Sequence, residues 1–154
     1  MGGEIEARLK SLGIDLPPAP NPVANYVPTL IAGDLLFVSG QIAKAADGTI
    51  VTGQVGKDLT VEDGARAARI CALNILAQAQ AALGSLDRIV QVVRLTGFVN
   101  SGAGFADHPK VVNGASDLMV EVLGGKGRHT RAAVGSSSLP VNTAVEVDAV
   151  LRIT

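Results

Sequence analysis

The stretch from Thr60 to Gly84 constrains the fold more than any other part of the sequence. Thr60 stands three residues before Asp63, which is typical of a capping box, and Gly84 is a common helix stop. Apolar residues recur between these ends at the spacing of one helix face: Ala65, Ala68, Ala72, Ile75, Leu76, Ala79 and Leu83. This pattern predicts a long amphipathic helix, which has to bury its apolar face against another layer.

The segment before this helix has the character of β-structure. Residues 26–42 read YVPTLIAGDLLFVSGQI, two short β-rich runs separated by Gly33-Asp34, a pair that tolerates the positive φ of a tight turn. We therefore predict a hairpin. Residues 44–56 contain Asp47-Gly48 and further glycines, which predict a turn, a short third strand around Ile50 and Val51, and a loop.

Strand and helix alternate after the first helix. The β-branched residues between Ile89 and Val99 predict a largely buried strand. A second helix is expected from about Ala106 to Leu123, with Pro109 in its first turn and two glycines after its end. Arg131 then opens a strand of small residues that runs into a turn.

The last segment, AVEVDAVLRIT, alternates apolar with mostly polar residues, as in a strand with one buried face. The predicted order β-β-β-α-β-α-β-β gives an α+β fold: a single mixed sheet with two helices packed on one face. Aromatic residues make up only 3% of the chain, so the core has few large anchors. We therefore expect the other face of the sheet to pack against copies of the same chain.

Residues 1–25 have a different composition and are interpreted as an N-terminal arm, leaving 26–154 as the domain. The arm begins with a short amphipathic patch built on Ile5, Leu9 and Leu12. The sequence LPPAPNP follows, and its prolines favour extended polyproline geometry.

Composition narrows the classes of function. Lys and Arg number 13 against 14 Asp and Glu, a net charge of -1, which makes nucleic-acid binding unlikely. No apolar stretch approaches the roughly 18 residues of a membrane span, and MGGEIEARLK lacks the apolar core of a signal peptide. The single cysteine, Cys71, cannot form a disulfide within the chain. We expect a cytoplasmic protein with no membrane partner.

Most catalytic motifs are missing from the sequence. There is no G-x-S-x-G, H-E-x-x-H, paired C-x-x-C or strand-linked G-x-G-x-x-G, and GGKGRHT lacks the Ser or Thr of a phosphate loop. His108 and His129 have no metal-ligand spacing, and Cys71 lies among apolar residues of the predicted helix, as a structural thiol does. We expect neither a metal nor a cofactor.

Arg131 is the best candidate for chemistry. Its guanidinium projects from a strand of small residues, and a planar fork of donors suits a carboxylate. An intersubunit salt bridge is an equally good interpretation of the same residue. Glu146, if it lies on a neighbouring strand, can act as a base that positions water, although the residues alone favour an ordinary exposed carboxylate.

Three segments resemble the reactive intermediate deaminase family, also called the YjgF-like or endoribonuclease L-PSP family. They are FVSGQI at 37–42, VVNGASDLM at 111–119 and RAAVGSSSLPVNTAVEVDAV at 131–150. The similarity runs from about residue 26 to the C-terminus. The resemblance implies a chorismate-mutase-like fold and a homotrimer with clefts between subunits. It also implies cofactor-free hydrolysis of 2-aminoacrylate, 2-iminopropanoate and 2-iminobutanoate to 2-keto acids and ammonia.

The resemblance also implies roles for individual residues. Arg131 matches the arginine that holds the substrate carboxylate, and Glu146 matches the acid associated with the attacking water. The remaining matches are substrate-binding positions: Tyr26, Ser39, Asn113 and Ala133. Ala133 stands where many relatives have cysteine. Ala24-Asn25 and Ala43 also depart from the family pattern, and both changes affect the shape of the pocket.

Three rival functions stay open. One is a trimer that binds small carboxylate metabolites without turnover. Another is an endoribonuclease or translation inhibitor, supported only by a basic cluster of Lys126, Arg128, His129 and Arg131. The third is a chaperone-like or protein-interaction role, which is supported only by the apolar, glycine-rich composition.

Overall fold

The computed structural model of the protein describes residues 3–22 and 24–154. Its strands form one mixed sheet in the order β1-β2-β5-β3-β4, which confirms the predicted α+β class. The elements are α1 (Glu4–Ser11), β1 (Thr29–Ala32), β2 (Leu35–Ile42), α2 (Val61–Leu83), β3 (Ile89–Asn100), α3 (His108–Leu123), β4 (Thr130–Ser136) and β5 (Val145–Ile153). Short 3-10 helices lie before β3, β4 and β5: Leu86–Arg88, Gly124–Gly127 and Pro140–Asn142.

The predicted long helix is confirmed as α2, together with its two ends. The Thr60 hydroxyl accepts a hydrogen bond from the Asp63 amide at 3.0 Å, and the Asp63 carboxylate accepts one from the Thr60 amide at 2.9 Å. Gly84 ends the helix with φ at 80°. α2 packs on β2 and β5 while α3 packs on β3 and β4, so both helices cover the same face of the sheet.

The predicted hairpin is also confirmed, whereas the prediction of a third strand around Ile50 and Val51 is wrong. β1 and β2 pair antiparallel around a turn in which Gly33 has φ at 62°. The segment around Ile50 and Val51 forms only isolated bridges, Lys44↔Ile50 and Thr52↔Thr143. The glycines at 48 and 53, both with positive φ, turn the chain too often for a continuous ladder.

The last strand divides its residues between the two faces as predicted. The side chains toward α2 and α3 are buried: Val145, Val147, Ala149, Leu151 and Ile153. Glu146, Asp148, Val150 and Arg152 alternate with them on the other side, which we call the open face. In the single chain the open face leaves Leu30, Phe37 and Val134 exposed.

The N-terminal patch is a helix that joins the core. Ile5 and Leu9 are buried, and α1 contacts α3 and the Leu86–Arg88 turn. Asp87 accepts hydrogen bonds from the amides of Glu4 and Ile5, at 2.8 and 2.9 Å, and so caps the helix from a distant part of the chain. Within the described residues, none of the helices is long and apolar enough to cross a membrane.

Candidate functional site

A cavity of about 430 Å³ lies beside the second half of β2. β1 pairs only with Leu35–Val38, so no described strand pairs with the rest of β2 on that edge. The cavity is lined by Pro20, Asn21, Pro22, Tyr26, Pro28, Gly40, Gln41, Ile42, Lys44, Ile50, Asn74, Gln78, Pro140, Val141 and Glu146. We call it the Glu146 cavity. Its walls come from the arm, β2, α2 and the turn before β5.

Glu146 reaches this cavity from β5. It pairs with Ile42 on one side and Phe98 on the other, and its side chain lies against Gly40, where a Cβ would come within 2.5 Å of Oε1. Position 40 therefore has to be glycine for Glu146 to lie there. Burial raises the pKa of Glu146, and the neighbouring Asp148 charge adds to the rise. A carboxylate with a raised pKa is a better proton acceptor.

Tyr26 and Ser39 lie on the same side of the molecule as Glu146. Tyr26 lines the cavity and is half exposed. The Ser39 hydroxyl donates to the carbonyl of Val27 at 2.7 Å, and the Ser39 amide donates to the carbonyl of Pro28 at 2.9 Å. Ser39 thus fixes the segment that carries Tyr26, and it is not among the residues that line the cavity.

Three of the polar residues of this cavity that the sequence did not predict are Asn74, Gln78 and Lys44. Asn74, which is buried, donates to the carbonyls of Ile42 and Lys44, at 3.2 and 2.9 Å. Gln78, one helical turn further, donates to the carbonyl of Pro20 at 2.6 Å and so holds the proline-rich segment against α2. The third is Lys44 itself. The available signal was a pair of amides spaced four apart in the mostly apolar second half of α2.

Arg131 lies elsewhere, at the edge strand β4. It pairs with Leu95, whose side chain is buried toward the helices, so Arg131 points to the α3 side of the sheet. Its Nη1 donates to the Ser116 hydroxyl at 3.1 Å and its Nη2 to the Pro109 carbonyl at 3.3 Å. None of the salt bridges among residues 3–22 and 24–154 includes Arg131. Its described partners are therefore neutral oxygens, which leave its charge for an anion.

Asn113 and Ala133 lie near Arg131, on α3 and β4. Asn113 is exposed on α3 between Pro109 and Ser116, the two residues that Arg131 contacts, and these positions share one helix face. Ala133 follows Arg131 by two residues on β4 and packs against the core. We call Asn113, Ser116, His129 and Arg131 the Arg131 cluster.

The structure therefore does not bring the six predicted site residues together in one chain. Tyr26, Ser39 and Glu146 lie at or near the Glu146 cavity, whereas Asn113, Arg131 and Ala133 lie along α3 and β4. β3 separates β4 from β5, so Glu146 is not on the strand next to Arg131. The described residues also contain no group of three or more side chains suited to hold a metal ion.

Comparisons with known proteins match this fold and these segments. The sequence profile of the family described as "YjgF/chorismate_mutase-like, putative endoribonuclease" matches residues 6–151. Protein TCP17 of Trypanosoma cruzi is 50% identical over 152 residues, which cover 98% of this chain and 95% of that protein. This chain belongs to the YjgF/chorismate-mutase-like family.

Two solved structures extend the comparison. The crystal structure of Atu1372 from Agrobacterium tumefaciens, a protein of unknown function, is 52% identical with a TM-score of 0.89, covering 97% of this chain and 94% of that chain. The crystal structure of E. coli TdcF with bound serine is 25% identical with a TM-score of 0.62, covering 88% and 94%. The family assignment thus agrees with the resemblance seen in the sequence.

Proposed function

We propose that this protein hydrolyses 2-imino acids, such as 2-iminopropanoate and 2-iminobutanoate, to 2-keto acids and ammonia. The observation that carries the proposal is the environment of Arg131. Among the residues that the structure describes, this half-buried guanidinium is held only by neutral oxygens, so it retains the charge and donors that a substrate carboxylate requires. The serine bound to TdcF also carries a carboxylate, which supports a ligand of this class.

We further propose that the complete site forms between copies of the chain in a homotrimer. The Arg131 cluster of one subunit would face the Glu146 cavity of the next, because one chain alone keeps the two apart. The exposed Leu30, Phe37 and Val134 on the open face support self-association, since monomers rarely leave large apolar patches in water. A closed ring repeats one such interface around its axis.

The proposed chemistry needs little from the protein beyond placement. Arg131 holds the substrate carboxylate and so orients the electrophilic imine carbon. Glu146 accepts a proton from a water molecule as the water oxygen adds to the carbon of the protonated imine, which gives a neutral carbinolamine. Glu146 returns this proton to the nitrogen. The C–N bond then breaks and ammonia leaves, while the hydroxyl group gives its proton to Glu146 as the carbonyl of the 2-keto acid forms. General-base assistance of this kind is worth roughly 10²- to 10⁴-fold.

The test measures ammonia and 2-keto acid released from freshly generated 2-aminoacrylate and 2-iminobutanoate. We expect the native protein to exceed the buffer rate and Arg131→Ala to lose the excess. Arg128→Ala is the matched control, since it removes an exposed cation three residues away that forms no salt bridge with the described residues. A native protein no faster than buffer would contradict the proposal. Saturable 2-keto acid binding in that case would identify a carboxylate-binding protein without turnover.

A further inference from the structure

A chain of hydrogen bonds runs from a backbone carbonyl to the guanidinium of Arg131. His129 Nδ1 lies 2.6 Å from the Gly127 carbonyl oxygen, and His129 Nε2 lies 2.8 Å from the Ser116 hydroxyl. The same hydroxyl lies 3.1 Å from Arg131 Nη1. The sequence placed His129 only in the basic cluster of the endoribonuclease alternative, and the resemblance gives neither Ser116 nor His129 a part in imine hydrolysis.

The direction of each bond follows from its partners. A carbonyl only accepts, so Nδ1 of His129 carries a proton and donates to Gly127. In a neutral imidazole Nε2 then accepts, and the Ser116 hydroxyl donates to it. The oxygen lone pairs of Ser116 are left facing Arg131, whose N–H groups can only donate.

The backbone around these hydrogen bonds allows little displacement. A Cβ at Gly127 would collide with the backbone of Met119, so a glycine at this position brings the accepting carbonyl close to α3. Arg131 gains a second fixed contact from Nη2 to the Pro109 carbonyl at 3.3 Å. Two acceptors on one α3 face thus define the plane of the guanidinium before a ligand binds. The remaining N–H groups are left for a carboxylate.

We propose that Ser116 and His129 are positioning residues that hold Arg131 ready for the substrate carboxylate. The inference rests on the proposed role of Arg131 and deepens it. A preoriented fork loses less side-chain freedom when a ligand binds, so the arrangement strengthens carboxylate binding. Neither residue takes part in the addition of water.

The experiment measures binding of 2-oxobutanoate by calorimetry, with imine hydrolysis measured in parallel. Ser116→Ala and His129→Leu break the series of hydrogen bonds. Ser116→Thr keeps the hydroxyl, and His129→Gln keeps an acceptor near the Nε2 position. We expect the first pair to weaken 2-oxobutanoate binding about 5- to 20-fold and to raise KM with kcat nearly unchanged. The conservative pair should restore most of the affinity, which a merely structural defect would not do.

A double-mutant cycle shows whether Ser116 acts through Arg131. In an Arg131→Ala background, Ser116→Ala should cause no further loss of 2-oxobutanoate binding. Any of three results would overturn the inference. Ser116→Ala could bind 2-oxobutanoate within twofold of the native affinity, Ser116→Ala could cause the same loss of affinity with and without Arg131, or the native protein could fail to bind 2-oxobutanoate. Failure of the proposed function is distinct, because the native protein would then bind 2-oxobutanoate through Arg131 without accelerating imine hydrolysis.

Discussion

Arg131 and Glu146 point to opposite faces of the same sheet. Arg131 pairs with Leu95 on β3, whose side chain is buried under α3, whereas Glu146 pairs with Phe98, three residues further along β3, on the open face. Because side chains alternate along a strand, these two registers put the guanidinium and the carboxylate on different sides. The proposed reaction uses both groups, which is why we place its site between two copies of the chain.

Replacing Arg131 with lysine tests the geometry of carboxylate binding. Lysine keeps the charge but cannot supply two parallel N–H donors, so we expect kcat/KM for 2-iminobutanoate to fall about 10- to 100-fold. Steady-state kinetics on Arg131→Lys and Arg131→Ala measure the loss, with Arg128→Lys as the control. Full activity in Arg131→Lys would mean that a point charge is sufficient and that the fork has no role.

In the proposed mechanism, Glu146 sets the acidic limb of the pH profile of imine hydrolysis. Burial raises its pKa above the ordinary 4.5, so the base becomes protonated, and activity should fall, at a pH higher than for an exposed glutamate. Rates between pH 4 and 8, corrected for buffer-catalysed hydrolysis, measure the limb. Glu146→Gln should lose the enzymatic rate and this limb together, whereas a rate within threefold of native would show that another group activates the water.

The same substitution should make the fold slightly more stable near neutral pH. A carboxyl whose pKa is raised on folding favours the native state while it is protonated and loses that contribution as pH rises through the folded pKa. Glutamine removes the charge, so we expect the melting temperature to rise by about 1 to 3 °C at pH 7. Thermal unfolding at pH 7 and pH 4 checks this, and the difference from native should shrink at the lower pH.

Asp87 ties the N-terminal arm to the domain. Its bonds from the Ile5 and Glu4 amides lower its pKa, so its contribution to stability is present above the ordinary aspartate range and is lost as pH falls through the lowered value. Asp87→Asn should therefore lower the melting temperature by about 2 to 4 °C at pH 7 and by less in acid. Asp117→Asn, on the exposed side of α3, is the control and should leave it unchanged.

A charge on the open face tests the proposed assembly. Val134 is exposed in the single chain and lies beside Phe98 on that face. Burying an aspartate there between subunits would leave an unpaired charge, so Val134→Asp should shift the mass in solution from three chains toward one. Sedimentation of native and variant protein measures this, with Ala7→Asp as the control, because Ala7 is exposed on α1, which contacts α3 on the helix side of the sheet. A native protein that sediments as a monomer would contradict the trimer.

The sequence predicted those parts of the fold that depend on local patterns. Periodicity and capping located α2 with both ends, and strict alternation placed Glu146 opposite the buried residues of β5. The strand at Ile50 was predicted from β-branched residues alone, and the flanking glycines prevented it. Propensity measures how well a residue suits a strand and says nothing about whether a partner is within reach.

The arrangement of the site could not be predicted in the same way. Arg131 stands among alanine, valine and glycine, so no alternation marks which face it occupies, and the sheet order that inserts β3 is a property of the whole topology. The link from Asp87 to α1 joins residues more than eighty positions apart, beyond any local signal. The Ser116–His129 pair likewise exists only after α3 and β4 pack together.

Mixing two inactive variants tests the central claim most directly. Arg131→Ala supplies an intact Glu146 cavity and Glu146→Gln supplies an intact Arg131 cluster, so a trimer that contains both variants has one interface with both residues intact. After unfolding and refolding a 1:1 mixture, we predict that imine hydrolysis returns to about a quarter of the native rate, the share of interfaces that random assembly restores. Activity no greater than the average of the two variants refolded separately would show that the site does not form between subunits and would contradict the account.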